Sequence, residues 1–449
     1  MKTTTKIAIL DLTHGGIIIA KKYMELGYSV IGVDVYNTIK DQSAIGIPIS
    51  KVPLYVKEYD LIVAPVHLDP DYPSLKLAKD LNIPVITHHS AVKDILKNYL
   101  GTSKIKTIEI TGVKAKTSTA ILLAEILSKK EKVLLHTTNG LQYWNNGNPI
   151  LIKKGLSITP ASILQVADII KRLNFCLNPD VLISEVSLGG TGFADIGVIT
   201  TLIPDYKIAN HKKNASDAKM QMINNAKEGS TVIVNALDKQ LIKLQTNQSL
   251  KIITFGDNGE VQYKEFNGNI NLSYWNGEIN FTPNANYEIN SYKTAILCAV
   301  TIALTLGIDS HIIQSVLTGF TGVQGRMKQT LWNGRILIDN SNSGMNVDSA
   351  KNALNYALNY ISRDLNLQPK IVMVFGEEAY NVCEGINLEQ AKQFIEQCTI
   401  ELILVGDRVH AINRQIFKSC AKSLEEGLDI ALNLTNEGDI IISCVKCFR

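Results

Sequence analysis

Short, unbroken apolar runs separated by segments of helical spacing constrain this chain more than any other feature. Lys6–Leu12 is such a run and ends at a Thr-His-Gly-Gly turn. Ile17–Leu26 carries apolar residues at helical intervals and stops at Gly27. Tyr28–Val35, Leu61–Val66 and Ile83–Thr87 are further runs, with Ser74–Leu81 reading as a helix between the last two. A strand that is apolar on both faces is buried on both, which is the condition of a parallel sheet covered by helices. Residues 1–103 are therefore expected to form a small Rossmann-like domain.

The pattern then restarts. Lys106–Ile110 reads as a strand, followed by a turn and a helix over Thr117–Ser128. Val133–Leu135, Val181–Glu185, Gly197–Leu202 and Thr231–Asn235 read as further strands. The polar stretch Phe255–Asn290 suits short antiparallel strands, and Tyr292–Leu306 and His311–Leu317 suit helices that close a second domain. A third α/β unit opens near Gly325, with strands expected at Ile336–Asp339, Lys370–Phe375, Glu401–Val405 and Asp439–Ser443. The expectation is three α/β modules in series, at 1–103, 104–324 and 325–449, without internal repeats.

Composition narrows the functional classes. Forty-five basic and 42 acidic side chains leave a net charge of +3, which lacks the basic excess of a dedicated nucleic-acid binder. The longest apolar run, Thr294–Ile308, falls short of the ~20 residues that span a bilayer and is bounded by Lys293 and Asp309, so a core helix is expected. The N-terminus lacks the shape of a signal peptide. Seven cysteines without framework spacing point to reduced thiols in a cytoplasmic protein. Cys444-Val-Lys-Cys447, a lone pair, reads as structural rather than zinc-binding.

The stretch Ile108-Glu-Ile-Thr-Gly-Val-Lys-Ala-Lys-Thr-Ser-Thr-Ala120 has the order strand, tight loop, Lys-Thr-Ser, helix. Such a loop offers backbone N–H groups and a helix N-terminus to phosphate oxygens, a lysine to the terminal phosphates and a hydroxyl to Mg²⁺. The competing account is an ordinary strand-to-helix turn. Ala115 departs from the pattern, because a nucleotide loop carries glycine before the lysine, and a Cβ hinders close phosphate approach. Val181-Leu-Ile-Ser-Glu-Val-Ser-Leu-Gly-Gly190 places Glu185 at a buried strand end, where a carboxylate commonly ligates Mg²⁺. Further along lie Thr200-Thr-Leu-Ile-Pro-Asp205 with Tyr206, Asn214-Ala-Ser-Asp-Ala-Lys219, Gly325-Arg326-Met327, and Asp339 before Asn340-Ser-Asn-Ser-Gly344.

In this order and spacing, the set resembles the Mur ligase family of ATP-dependent ligases, over roughly residues 104–449. The resemblance implies a three-domain architecture, ATP and Mg²⁺ as cofactors, and an acyl-phosphate formed by attack of a carboxylate on the γ-phosphate. It implies nucleotide contacts from Thr111, Gly112, Val113, Lys114, Ala115, Lys116, Thr117 and Ser118, with Arg326 and Asp339 on the C-terminal side. Thr117 and Glu185 match the Mg²⁺ positions, and Lys219 matches a lysine that many members carbamylate for a second Mg²⁺. Lys116, Glu185 and Lys219 are thus the catalytic candidates. Two departures stand out: Tyr206 replaces the usual His after Pro-Asp, and Ser291-Tyr292 replaces a His-Asn pair.

The N-terminal segments distinguish the branch. Asp11-Leu-Thr-His-Gly-Gly16, Gly32-Val-Asp-Val-Tyr36 and Ala64-Pro-Val-His-Leu-Asp69 end at the carboxyl edges of expected parallel strands, where open α/β sheets bind ligands. Four of the eight histidines (His14, His67, His88, His89) fall in the first 89 residues. With Gly-Val-Lys-x-Lys-Thr-Ser in the phosphate loop, this start resembles the branch of the family that acts on a nickel tetrapyrrole in methanogens. The resemblance implies activation of a propionate side chain and attack by a carbon of the same macrocycle. His14, Gly15, Gly16, Asp34, Tyr36 and His67 are the substrate-binding candidates, the two glycines leaving room for a planar ligand and one histidine approaching the nickel axially. An amide ligase for archaeal cell-wall precursors and an inactive tetrapyrrole- or nucleotide-binding scaffold remain the alternatives. A dinucleotide enzyme is disfavoured, since Thr13-His-Gly-Gly lacks the Gly-x-Gly-x-x-Gly pattern.

Overall fold

Alternation along the first strand sets the layering of the first sheet. In β1 (Lys6–Leu10), Ile7 and Ile9 face one core, while Ala8 and Leu10 face another. The first core receives Ile19 of α1 (Ile17–Glu25); the second takes Ala78 of α2 (Pro73–Asp80). β2 (Ser29–Val33), β3 (Ile49–Ser50), β4 (Leu61–Ala64) and β5 (Val85–Thr87) complete a sheet of order β3-β2-β1-β4-β5, parallel throughout. Because β1 lies between β2 and β4, chain direction across the sheet reverses there, and the carboxyl ends of β1 and β4 form the switch point at which open α/β sheets bind ligands. Thr87 caps α3 (His88–Leu100) by accepting a hydrogen bond from Ser90 N.

These elements come from a computed structural model, which describes residues 5–43, 45–238, 250–362, 369–378, 385–412 and 419–448. The chain divides into two compact units, residues 1–264, 271–279 and 294–313, and residues 265–270, 280–293 and 314–449.

The first unit holds a second sheet. Its strands are β6 (Lys106–Thr111), β7 (Val133–Thr137), β8 (Gly140–Asn145), β9 (Asn148–Lys153), β10 (Val181–Glu185), β11 (Ile196–Ile199), and, after the short antiparallel pair β12 (Lys207–Ile208) and β13 (Lys213–Asn214), β14 (Thr231–Asn235) and β15 (Lys251–Phe255). The order β15-β14-β11-β6-β10-β7-β8-β9 is parallel up to β7, and β8 and β9 then add an antiparallel hairpin. This hairpin is not among the strands expected from apolar runs. Its signal is Asn146-Gly147, both at positive φ (51° and 81°), the turn that a two-residue hairpin demands. Two helices flank the middle of the sheet in sequence, α4 (Lys116–Leu127) and α5 (Ser162–Leu177). Ile163 and Ile170 of α5 join Ile19 and Ile95 in one continuous core, so the first and second sheets share buried apolar surface. Lys22 adds an ion pair to Asp168 at 2.8 Å across the same junction.

In the Phe255–Asn290 stretch, β16 (Gln262–Phe266), β17 (Asn269–Tyr274) and β18 (Gly277–Phe281) form a three-stranded sheet. The longest apolar run becomes the helix Ile289–Thr305, with Ala295 to Val300 almost wholly buried. Among the described residues, no helix is long and apolar enough to cross a membrane.

The second unit is built on β19 (Lys328–Trp332), β20 (Arg335–Asp339), β21 (Ile371–Glu377), β22 (Glu401–Val405), β23 (Ser419–Ala421) and β24 (Ile440–Lys446). Their order is β19-β20-β24-β21-β22-β23, with only β19 antiparallel. Cys444 and Cys447 are buried around the end of β24, and burial pushes the Cys444 thiol up, so it is a core residue.

Candidate active site

The phosphate-loop segment runs from the end of β6 into α4 and is fixed by its neighbour β11. Val113 N donates to Thr201 O (2.8 Å), and Thr200 Oγ1 donates to Lys114 O (2.6 Å). Gly112 sits at φ 146°, and a Cβ there would come within 2.0 Å of Thr200 Oγ1, so no side chain fits. Ala115, the residue that departs from the usual glycine, adopts the glycine-like conformation, with φ 65° and ψ −1°. An L-residue accepts this at a cost of roughly 1–2 kcal/mol, and alanine has no branch to worsen it. The loop therefore keeps a left-handed turn before the helix despite the substitution.

Lys116 opens α4, its Nζ 3.0 Å from Gly112 O. The hydroxyl of Thr117 donates towards both carboxylate oxygens of Glu185, each at 3.0 Å. Both residues are buried, as is Ser118. Strands β6 and β10 are parallel neighbours with Glu185 opposite Ile110, so the strand end and the helix start meet by register. Two buried oxygen donors at a helix N-terminus are a donor set that suits a hard cation such as Mg²⁺.

Lys219 ends α6 (Ala215–Lys219) and is buried at 1% exposure. Its Nζ lies 4.7 Å from the centroid of the Tyr206 ring and 3.4 Å from the phenolic oxygen. Burial, helped by the positive charge of Lys116, brings its pKa down to about 8. Asp205 supports the segment by accepting from Ser216 N at 3.0 Å. The structure thus gathers Lys116, Thr117, Glu185 and Lys219 in the first unit.

Arg326 and Asp339 are brought together in the second unit. Asp339 accepts from Gly325 N (3.0 Å), Ser341 N (3.2 Å) and Ser443 Oγ (2.9 Å), and Arg326 donates to Asn342 Oδ1 at 2.8 Å. Tyr292, noted in the sequence only as a departure, is a supporting residue of this loop. Its hydroxyl donates to Arg326 O at 2.6 Å and accepts from Val323 N at 2.7 Å.

At the carboxyl edge of the first sheet, the loops after β1, β2 and β4 meet. Asp11 is fully buried in a left-handed conformation (φ 66°), and its Oδ1 accepts from Thr13 N and His14 N. Its Oδ2 lies 2.7 Å from His14 Nδ1 and 3.1 Å from His67 Nε2. The two imidazoles are 4.8 Å apart and nearly perpendicular, and Tyr36 packs edge-on against His14 at 5.3 Å. Burial alone would raise the Asp11 carboxyl, but hydrogen bonds with His14 and His67 outweigh it and hold the group well below the usual carboxylate range. Asp11, which opens the Asp-Leu-Thr-His-Gly-Gly segment, thus joins the site beside the candidates expected from the sequence.

Other N-terminal candidates have different roles. Asp34 spends its carboxylate on its own loop, accepting from Thr38 N (3.1 Å) and Ile39 N (2.9 Å). Gly15 and Gly16 do not open room for a planar ligand. A Cβ on Gly15 would meet Ala161 Cβ at 2.7 Å, and one on Gly16 would meet Asp11 O at 2.2 Å, so both glycines permit close protein packing. His88 and His89 are buried in the first turn of α3, with Nε2 atoms 3.0 Å from Leu10 O and Ser187 O respectively. The loop bearing His67 is fastened to the Lys219 region. Val66 packs with Ile208, Ala209, Ala215 and Ala218, and Lys212 pairs with Asp69 at 2.7 Å.

Comparison with known proteins identifies the family. Residues 110–297 match the Mur ligase middle domain family, and residues 329–447 match the family described as the C-terminal domain of coenzyme F(430) synthetase CfbE. Coenzyme F(430) synthetase of Methanosarcina acetivorans is 44% identical over 472 aligned positions, covering 99% of each chain. The enzyme of that name from Methanocaldococcus jannaschii is 26% identical, covering 89% of this chain and 90% of its own. Among solved structures, UDP-N-acetylmuramoylalanyl-D-glutamyl-2,6-diaminopimelate–D-alanyl-D-alanyl ligase from Acinetobacter baumannii aligns with a TM-score of 0.57 at 18% identity, over 80% of this chain and 77% of that one. That likeness speaks to the fold.

Proposed function

Because the chain belongs to the coenzyme F(430) synthetase branch of the Mur ligase family, we propose that it is an ATP-dependent ligase of coenzyme F(430) biosynthesis. It activates a carboxylate of a nickel tetrapyrrole precursor as an acyl-phosphate, and a carbon of the same macrocycle then displaces phosphate to close a carbocyclic ring. The observation that carries the ATP-dependent step is the Thr117–Glu185 oxygen pair at the start of α4, behind a loop whose Ala115 holds the left-handed turn.

In this reading, the backbone from Thr111 to Ser118 cradles the phosphates, and Lys116 meets the charge that grows on the γ-phosphoryl group. Thr117 and Glu185 would hold Mg²⁺, which when bound neutralises phosphate charge. Lys219 serves a second cation as a carbamate. Its lowered pKa favours that modification, because only the neutral amine attacks carbon dioxide. Arg326 and Asp339 supply nucleotide contacts, and the rim of His14, Tyr36 and His67 receives the substrate. The division into modules at 1–103, 104–324 and 325–449 belongs to the same proposal. Tethering the attacking carbon to the acyl-phosphate makes the second step intramolecular, an advantage worth several kcal/mol of barrier when the geometry is right.

The test is phosphate release from ATP with the seco precursor, with and without added amino acids. Release and ring closure without an amine support the cyclase. Release that requires an added amine would replace it with an amide ligase, and no release with any acceptor would leave a binding scaffold.

A further inference from the structure

Asp11 Oδ2, His14 Nδ1 and His67 Nε2 converge on one point from two different loops. We propose that they form a binding site for a free divalent transition-metal ion of the Ni²⁺ or Zn²⁺ type, distinct from the Mg²⁺ positions of the ATP-binding loop. The three donor atoms lie within 4.8 Å of one another, and no other trio of His, Cys, Asp or Glu side chains converges this way among the described residues.

The spacing of each imidazole nitrogen from the shared carboxylate oxygen matches adjacent positions on one ion, and the two nitrogens, within 4.8 Å of each other, reach it by rotation of the rings. With metal–ligand bonds of ~2.1 Å, cis donors around an octahedral ion stand about 3 Å apart. The Oδ2–Nδ1 and Oδ2–Nε2 separations are 2.7 and 3.1 Å. Imidazole nitrogen with one carboxylate oxygen is a set that suits borderline first-row ions better than Mg²⁺. The carboxylate is also aimed. Thr13 N and His14 N take Oδ1, which leaves Oδ2 turned between the two rings. The chain holds Asp11 at φ 66° to achieve this, a backbone state of the kind that persists where surroundings over-determine it and that clusters at ligand clamps.

The same geometry argues against the nickel of a tetrapyrrole as the occupant. The macrocycle fills four equatorial positions and offers one axial position on each face, whereas three converging donors need three adjacent open positions. A free ion has them. Its remaining positions face the sheet's carboxyl edge, where water or a peripheral carboxylate of an acidic substrate completes the shell. That last role rests on the tetrapyrrole reading; the metal site does not.

The experiment uses the full chain after treatment with chelator and desalting. Ni²⁺ and Zn²⁺ are titrated by calorimetry in the presence of millimolar Mg²⁺, and Co²⁺ loading is followed by its d–d absorption. The expected result is one equivalent bound at micromolar concentration, weakened tenfold or more in Asp11→Asn and in His67→Ala. If Asp11→Asn fails to fold, His67→Ala carries the comparison. Absence of stoichiometric binding, or equal binding by the wild type and both variants, overturns the site. Binding of a nickel tetrapyrrole without binding of any free ion also overturns it, in favour of axial contact. Because these readouts use no ATP and no tetrapyrrole turnover, they stand or fall separately from the ligase assignment.

Discussion

The Thr117 hydroxyl points at both oxygens of Glu185, 3.0 Å from each, joining the first turn of α4 to the end of the neighbouring strand β10. This buried oxygen pair is what the ATP-binding proposal depends on most directly. Thr117→Ala and Glu185→Gln are each expected to lower kcat about a hundredfold or more, the scale seen when one positioned electrostatic group is lost. Glu185→Gln should also raise the Mg²⁺ concentration needed for half-maximal rate. Steady-state kinetics across a Mg²⁺ series checks this. Near-native turnover in both variants would remove the pair from the mechanism.

Ala115 is expected to tolerate glycine and to resist branching. Relief of the left-handed strain offsets the extra unfolded-state freedom of glycine, so Ala115→Gly should leave stability unchanged or raised by up to about 1 kcal/mol, with nucleotide affinity kept. Ala115→Val should destabilise by at least about 1 kcal/mol, because the branch crowds the same conformation. Urea denaturation and nucleotide titration measure the two effects. A valine variant as stable as wild type would contradict the left-handed assignment.

Lys219→Ala is expected to abolish turnover and to regain part of it with added short carboxylates that stand in for the carbamate. With a pKa of about 8, the neutral amine grows as pH rises towards and through that value. Carbamylation, and activity recovered by bicarbonate after exhaustive degassing, should therefore increase from pH 7 to pH 8.5. Full activity of the alanine variant sinks the proposal for this lysine.

Mild acid should destabilise the first unit. Burial lowers His88, His89 and His136 to about 4, below the ~6.5 of an exposed histidine. The unfolded state therefore binds more protons below pH 6.5. The stabilisation these groups contribute is present above 6.5 and is lost as pH falls towards 4. At pH 5 each accounts for about 2 kcal/mol. Melting curves at pH 7.5 and pH 5 should differ accordingly, and His136→Gln should flatten the difference. A melting temperature independent of pH over this range is the contrary result.

Much of the site within one stretch of chain was legible beforehand. Lys116, Thr117 and the turn before them are consecutive, and Glu185 ends an apolar strand, so strand–loop–helix order placed them without coordinates. Arg326 and Asp339 were visible in the same way, as residues beside a glycine turn and at a strand end. The Asn146-Gly147 hairpin is also written in the chain, but its strands are weaker signals than the doubly buried ones: Gln142 interrupts β8, and β9 is an edge strand whose short run Ile150-Leu-Ile152 is largely exposed.

What the sequence by itself determined is the alternation of doubly buried strands and helices, since apolar periodicity and turn residues act over a few neighbours. Only the tertiary structure decided which loop residues meet. Asp11 and His67 are 56 positions apart and touch because β1 and β4 are adjacent at the reversal of the first sheet. Asp34 lies on the same edge, yet its buried carboxylate accepts from the backbone N–H groups of Thr38 and Ile39 in its own loop. Gly15 and Gly16 read as open space and prove to be points of close packing against Ala161 and Asp11. Strand adjacency and the direction of a side chain are settled by long-range packing and hydrogen bonding, for which local spacing carries no signal.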